Sequence, residues 1–233
     1  MIGIYKPEKI INLNILISIW RKKANEYGIS EIFILTNINK NNFQMFNNSN
    51  YLEIIDGGYE SPPNNFFLND LIKHNNYYYY LGLLYENNNL DFLSNNFKLY
   101  KGIMLEYDNS YKKTKNLKIF NEYSPYKFYI INKSILDWTK NKHDKNSRFI
   151  FINSWNNWIE GTYLEPDHKY GYSSINSLSK ALFNLSYKNP IYNISNLQNE
   201  AKIIIQVHAF YEDLIPEIIL KQIIYQILKI IVN

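Results

Sequence analysis

Four short apolar runs, each of strand length and each followed by polar, turn-forming residues, set the strongest limit on how this chain can fold. They are EIFILT (31–36), YLEIID (51–56), GIMLEY (102–107) and RFIFIN (148–153). Continuous apolar runs of this length suit strands covered on both faces. Between them lie stretches with helical spacing. Residues 8–27 place Ile11, Leu13, Ile15, Leu16, Ile19 and Trp20 at such intervals, and Gly28 follows as a C-terminal stop. Ser124-Pro125 opens a second helix reaching about Asn141, with serine as N-cap and proline at the first helical position; residues 173–185 read as a third. Asn-rich residues 37–50 read as loop, Gly57 and Gly58 close the second strand, and 62–100 reads as a long irregular excursion with some helix. Strand, polar loop and helix in repetition predict an α/β fold with a parallel sheet, either doubly wound or a (β/α) barrel. In both, ligands are held by loops at the carboxyl ends of strands.

A polar connector follows Pro190. After it come a strand (202–207), a short loop and a strongly apolar helix, which together lack a complete core of their own. The 233 residues, 46% of them hydrophobic, are enough for one sizeable core or two small ones. A net charge of +4, from 25 basic and 21 acidic side chains spread along the whole chain, gives no basic stripe, so nucleic acid is not an expected partner. Cysteine is absent, which removes disulfides, thiolate metal sites and cysteine nucleophiles. The four histidines, His74, His143, His168 and His208, are too scattered for a zinc site, and no Gly-rich phosphate loop is present, so neither metal nor cofactor is expected. No run of eighteen apolar residues exists, so no transmembrane segment is predicted; the expected location is cytoplasmic or peripheral at a membrane.

Directly behind the fourth run, FINSWNNWIEGTYLEPD (151–167) crowds rings, amides and carboxylates together. Sugars offer hydroxyl edges and weakly apolar C–H faces, and their sites combine flat rings with short groups that hydrogen-bond in fixed directions. Asn153, Trp155, Asn156, Trp158, Tyr163, Glu165 and Asp167 make up such a set of substrate-binding candidates, with Asp108 and Asn109 at the equivalent place after the third run. Glycosidic chemistry also needs a proton donor, usually a carboxyl with a raised pKa, and a group that stabilises the anomeric carbon. Glu160 is the candidate for the first role, desolvated by the two tryptophans and the isoleucine near it, in a cleft mouth shared with Trp155 and Trp158. The competing reading is structural: a Trp pair packing in a core, a glutamate paired with a cation, and Asp108-Asn109 as a turn.

FINSWNNWIEGTYLEPDHKYGY resembles the signature of the WbsX-type, glycoside hydrolase family 99-like domain of polysaccharide biosynthesis proteins, which runs approximately FINAWNEWAEGxYLEPDxxxGY. Three further pieces resemble the family's segments in order: IYKPEKI its YRP segment, IIDGGYESPPN its strand into a Pro-Pro stretch, and GIMLEYDNSYKK its WDNTxRR segment, with Tyr107 for Trp and lysines for arginines. The resemblance covers about residues 1–187. It implies a partial (β/α)8 TIM barrel, the C-terminal half, related to endo-acting mannosidases, with the missing N-terminal half as a partner. It further implies a linker at 188–200 and, from the likeness of IIIQVHAFYEDLIPEII to the opening of a rhamnan-synthesis domain, a truncated second unit at 201–233 carrying the extra strand and helix.

By this resemblance the chain is a carbohydrate-active protein of surface polysaccharide or lipopolysaccharide assembly, glycosyltransferase or glycosidase-like, with an oligosaccharide or nucleotide-sugar substrate. The hydrolase relatives carry EWxE, in which the first glutamate is a base acting through the 2-hydroxyl and the second is the acid/base. Here those positions are Asn157 and Glu160. An amide takes up no proton as a carboxylate does, so the catalytic pair is incomplete for hydrolysis. The alternative is a non-catalytic glycan-binding or decayed fragment.

Overall fold

The computed structural model describes residues 1–39, 41–63, 73–74, 77–83, 97–112, 117–187 and 202–206. It begins with strand β1 (Ile2–Ile4), a 3-10 turn (Pro7–Lys9) and helix α1 (Leu13–Glu26), which Gly28 ends at a φ of 77°, a left-handed conformation that suits glycine. Leu13 and Ile17 face inward, with Trp20 packed behind them. Ile11, Ile15 and Ile19 are 88%, 51% and 50% exposed. The helix is therefore where its spacing predicts, but it buries a narrower stripe.

Strand β2 (Ile34–Ile38) is buried along its whole length. Alternate residues serve the two faces: Ile34 and Ile38 pack with Leu13 and Ile17, while Leu35 packs with Tyr59, Tyr100 and Phe151. The predicted loop after it contains a 3-10 turn (Phe43–Asn47) and the single-turn helix α2 (Ser49–Leu52). The strand expected at 51–56 lies later, as β3 (Gly57–Glu60), all four residues buried. Two features move it. Tyr51 turns into the core, its hydroxyl donating to Thr36 Oγ1 at 2.8 Å; Asp56 Oδ2 accepts the Ile34 amide at 2.6 Å and faces Arg21 at 3.2 Å. Gly57 and Gly58 do not stop the strand; they let it approach its neighbours. A Cβ on Gly57 would stand 2.6 Å from the Lys98 carbonyl oxygen.

Short strands β4 (Lys73–His74) and β5 (Tyr77–Tyr79) precede β6 (Leu99–Tyr100) and β7 (Gly102–Met104). The last two form one interrupted strand. β6 pairs with β3, β7 pairs with the later β10 (Phe149–Asn153), and Lys101 marks the hand-over. Lys101 and Glu60 are 1% and 2% exposed, with Nζ 3.1 Å from Oε1; the same ammonium lies 4.8 Å from the centre of the Trp138 ring. Glu60 Oε2 also accepts the Gly102 amide at 3.2 Å. A Cβ on Gly102 would be 2.5 Å from Pro62 Cδ, so the crossing requires glycine.

The GIMLEY strand ends at Met104. The chain then turns away, and β8 (Tyr107–Asp108) pairs antiparallel with β9 (Ile119–Asn121), which lies parallel to β5. Helix α3 (Pro125–Lys142) starts as predicted, Ser124 Oγ accepting the Lys127 amide at 3.2 Å. Strand β10 carries Ile150 and Ile152 on the face covered by α3 and by α4 (Ser173–Leu182), and Phe151 and Asn153 on the other. Beyond β10 come the small hairpin strands β11 (Asn156–Asn157) and β12 (Thr162–Tyr163), and then β13 (Lys202–Gln206), parallel to β10. The helix predicted after it lies outside the described residues.

The protein is thus mixed α/β. Its main strands are all parallel and lie side by side in chain order: β1, β2, β3, the 99–104 segment, β10, β13.

Candidate functional site

The crowded motif folds as a small hairpin standing on the end of β10. Asn156 pairs with Tyr163 and Asn157 with Thr162; a 3-10 turn (Trp158–Glu160) and Gly161, at a φ of 70°, close the tip. Its base is fastened by Ser154 and Thr162. Ser154 Oγ donates to the Thr162 carbonyl at 2.9 Å and accepts the Asn157 amide at 3.0 Å, and Thr162 Oγ1 donates to the Asn153 carbonyl. Asn153, buried at the last position of β10, donates from Nδ2 to the Pro62 carbonyl at 2.6 Å, tying this strand end to the loop after β3.

The two tryptophans have opposite fates. Trp155 is 6% exposed and packs in the core with Leu164 and Ile175. Trp158 is 48% exposed yet fixed: it stacks on Tyr163 at 3.8 Å between ring centres, and its Nε1 donates to Glu165 Oε2 at 2.8 Å. Tyr163 in turn donates to Asp167 Oδ2 at 2.8 Å, while Asp167 Oδ1 accepts the Tyr170 amide. Asn156 keeps its Oδ1 buried without a hydrogen-bond partner among the described residues. Glu106, Tyr163, Glu165, Asp167 and Tyr170 are among the residues around a shallow depression, and Glu160 is not in its wall.

Glu160 sits at the hairpin tip, its side chain 16% exposed. Oε1 accepts from Lys112 Nζ at 2.6 Å and from the Tyr107 hydroxyl at 3.1 Å; Oε2 accepts from Asn157 Nδ2 at 2.9 Å. Burial alone would raise its pKa, but the hydrogen bonds and charge of Lys112, with Asn157 and Tyr107, outweigh burial and hold the carboxyl below its ordinary value of 4.5. The raised pKa expected from flanking tryptophans is therefore not what the fold produces, because Trp155 turns inward and three donors turn toward the carboxylate. Asn157 suits this arrangement: a carboxylate there would face Glu160 at hydrogen-bond distance and force the pair to share a proton. The Tyr107 hydroxyl is raised far above its usual range, first by burial and then by Glu160, so it remains a donor.

A group whose folded pKa is lower than its unfolded one contributes stability that is complete above the unfolded value and is lost as pH falls through the folded value. The stability difference between wild type and Glu160→Gln, read from urea midpoints, is therefore expected to be widest at neutral pH and to close as pH drops below 4.5. A difference that does not change with pH would contradict this assignment.

Asp108 and Asn109 do not meet the motif directly. Exposed Asp108 accepts the Ser110 amide at 2.7 Å, and buried Asn109 accepts the Lys118 amide at 2.7 Å through Oδ1. They build the turn that carries Lys112 onto Glu160. Tyr107 and Lys112, which stand in the segment resembling WDNTxRR, are the partners of Glu160 that its sequence does not pair with it. Their signal was the polar YDNSYKK stretch behind the third run, whose turn chemistry was plain and whose facing side was not. Glu106 and Lys169, 3.6 Å apart across the neighbouring loops, carried no signal.

Hairpin, turn and strand ends together define a mixed α/β protein that gathers rings, amides and a lysine-paired carboxylate where its parallel strands end. Residues 1–178 match the family described as glycosyltransferase WbsX, and the chain belongs to that family. It is also 49% identical over 35 residues to the uncharacterized protein WxcX from two strains of Xanthomonas campestris pv. campestris. That stretch is 15% of this chain and spans 5% of the length of each of those curated relatives. No solved structure gives a significant match. Among the described residues, no helix is long and apolar enough to cross a membrane, and no group of three His, Asp or Glu side chains is placed to hold a metal ion.

Proposed function

We propose that the chain takes part in polysaccharide biosynthesis by holding a saccharide against Trp158 and using the Glu160 carboxylate in glycosyl transfer. The observation that carries this reading is the pairing of an exposed, rigidly held indole with a carboxylate kept ionised two residues away. A flat ring fixed on one face and at its N–H edge offers its other face to sugar C–H groups at little entropic cost. An ionised carboxylate accepts a proton; it does not supply one. Glu160 therefore fits a base that takes the proton of an acceptor hydroxyl, and an anion beside a developing oxocarbenium ion, better than the leaving-group acid of a hydrolase. The strand order supports a barrel reading, since successive barrel staves neighbour one another in chain order whereas a doubly wound sheet reverses at its centre.

A second reading, binding without chemistry, is favoured by one observation: both oxygens of Glu160 are already engaged. The two readings share the saccharide contact. Titrating the full chain with mannose-like and rhamnose-like oligosaccharides while following tryptophan fluorescence should give saturable binding that Trp158→Ala weakens roughly tenfold. Binding unchanged by Trp158→Ala, or none to any saccharide tried, would remove the site.

A further inference from the structure

Lys112 differs in kind from the other partners of Glu160. Tyr107 is 5% exposed in the core and Asn157 is locked into the hairpin, so both are fixed by the fold. Lys112 ends an exposed 3-10 turn (Ser110–Lys112), and its side chain is 45% exposed. Its ammonium lies 2.6 Å from Glu160 Oε1 and 5.3 Å from the centre of the Tyr111 ring, on a long, part-exposed stem. An ion pair at such a surface is weak in water, whereas a phosphate carries more charge than a carboxylate and binds an ammonium as a point charge. If Lys112 swings away, Glu160 keeps Tyr107 on Oε1 and Asn157 on Oε2.

We propose that Lys112 is an exchangeable counter-ion, neutralising Glu160 in the empty protein and moving to the phosphate of a phosphate-activated sugar donor when that donor arrives. The proposal rests on the glycosyl-transfer reading above and adds a positioning residue, one that suits a phosphate-activated donor over an uncharged saccharide. An uncharged saccharide offers Lys112 nothing to exchange for; a glycosyl phosphate or diphosphate does. In the transfer step the acceptor oxygen bonds to the anomeric carbon as the bond from that carbon to the phosphate oxygen breaks. The electron pair leaves with the phosphate, where Lys112 meets the new charge. The acceptor's proton passes to the carboxylate that Lys112 has vacated. Donor binding and readiness of the base are thus coupled: without its cation, and still part-buried, Glu160 holds a proton more readily.

The test needs neither turnover nor a known acceptor. The Glu160 carboxyl is followed by carbon NMR of the glutamate-labelled full chain, its resonance assigned with Glu160→Gln, in wild type, Lys112→Met and Lys112→Arg. The titration midpoint should move to higher pH in Lys112→Met and stay in place in Lys112→Arg. Saturating inorganic pyrophosphate should move the wild-type midpoint upward, in the direction of Lys112→Met. It should bind Lys112→Met about tenfold more weakly and leave that variant's midpoint unchanged. Should Lys112→Met fold poorly, Lys112→Gln serves the same comparison. Equal pyrophosphate affinity in wild type and Lys112→Met, or a wild-type midpoint that pyrophosphate does not move, overturns the proposal. Failure of the saccharide reading shows separately, in the tryptophan titration with uncharged oligosaccharides.

Discussion

Glu160→Gln is expected to lower glycosyl transfer by about 10²–10⁴-fold, the range that a positioned acid or base contributes. The substitution keeps the side chain's length and planarity, so the hairpin tip should hold its shape. It removes the proton acceptor and the negative charge together. Trp158, the saccharide contact, is untouched, so the loss should fall on kcat with KM little changed. The replacement is not silent locally: Asn157 Nδ2 and Lys112 Nζ both donate to this group, and an amide accepts at one oxygen where the carboxylate accepted at two. Tyr107→Phe separates that rearrangement from chemistry, since it removes one donor from the same cluster with the carboxylate and Lys112 both still present. Transfer that persists at the wild-type rate in Glu160→Gln would take the residue out of the mechanism.

Lys101→Met is expected to cost about 3–5 kcal/mol of folding stability, because it takes a buried ammonium away from the buried Glu60 carboxylate 3.1 Å from it. Against a typical total of about 5–15 kcal/mol this is a large fraction, readable as a fall in urea midpoint with little change in slope. The position amplifies the effect. Glu60 leads into Ser61-Pro62-Pro63, where the Pro62 carbonyl accepts from Asn153 and the Pro63 carbonyl from Lys118 Nζ at 3.3 Å. Disturbing the pair at the strand crossing therefore reaches the base of the motif hairpin. A loss under about 1 kcal/mol would show that solvent or a neighbouring group compensates for the missing ammonium.

Local chemistry made part of this architecture legible. Ser124-Pro125 states a helix start in two residues, and RFIFIN states a strand buried on both faces, because cap geometry and apolar runs act within a few positions. YLEIID misleads for the same reason. Its residues suit a strand, but Asp56 is taken by Ile34 and Arg21, partners more than twenty positions away, and the strand forms on the glycines that look like breakers. Helix α1 misleads on facing: Ile15, Leu16 and Ile17 are equally apolar, and what packs against the helix decides which points inward. The motif's composition marks a candidate region only, since Trp155 and Trp158 are chemically identical, and the hairpin alone buries one and exposes the other. The YDNSYKK stretch marks Lys112 as a polar turn residue but not its partner, because Glu160 lies 48 positions away.

The strand crossing also says something about how this chain can change over generations. Its sequence is heavy in Asn, Lys, Ile and Tyr, residues written with adenine- and thymine-rich codons, and only 8 of its 233 residues are glycine, whose codons all begin with two guanines. Two of those eight, Gly57 and Gly102, stand where any added carbon would strike a neighbouring main chain or proline ring. Nucleotide drift can therefore rewrite most of the surface and much of the core, but at these two codons the spacing between adjacent strands vetoes it.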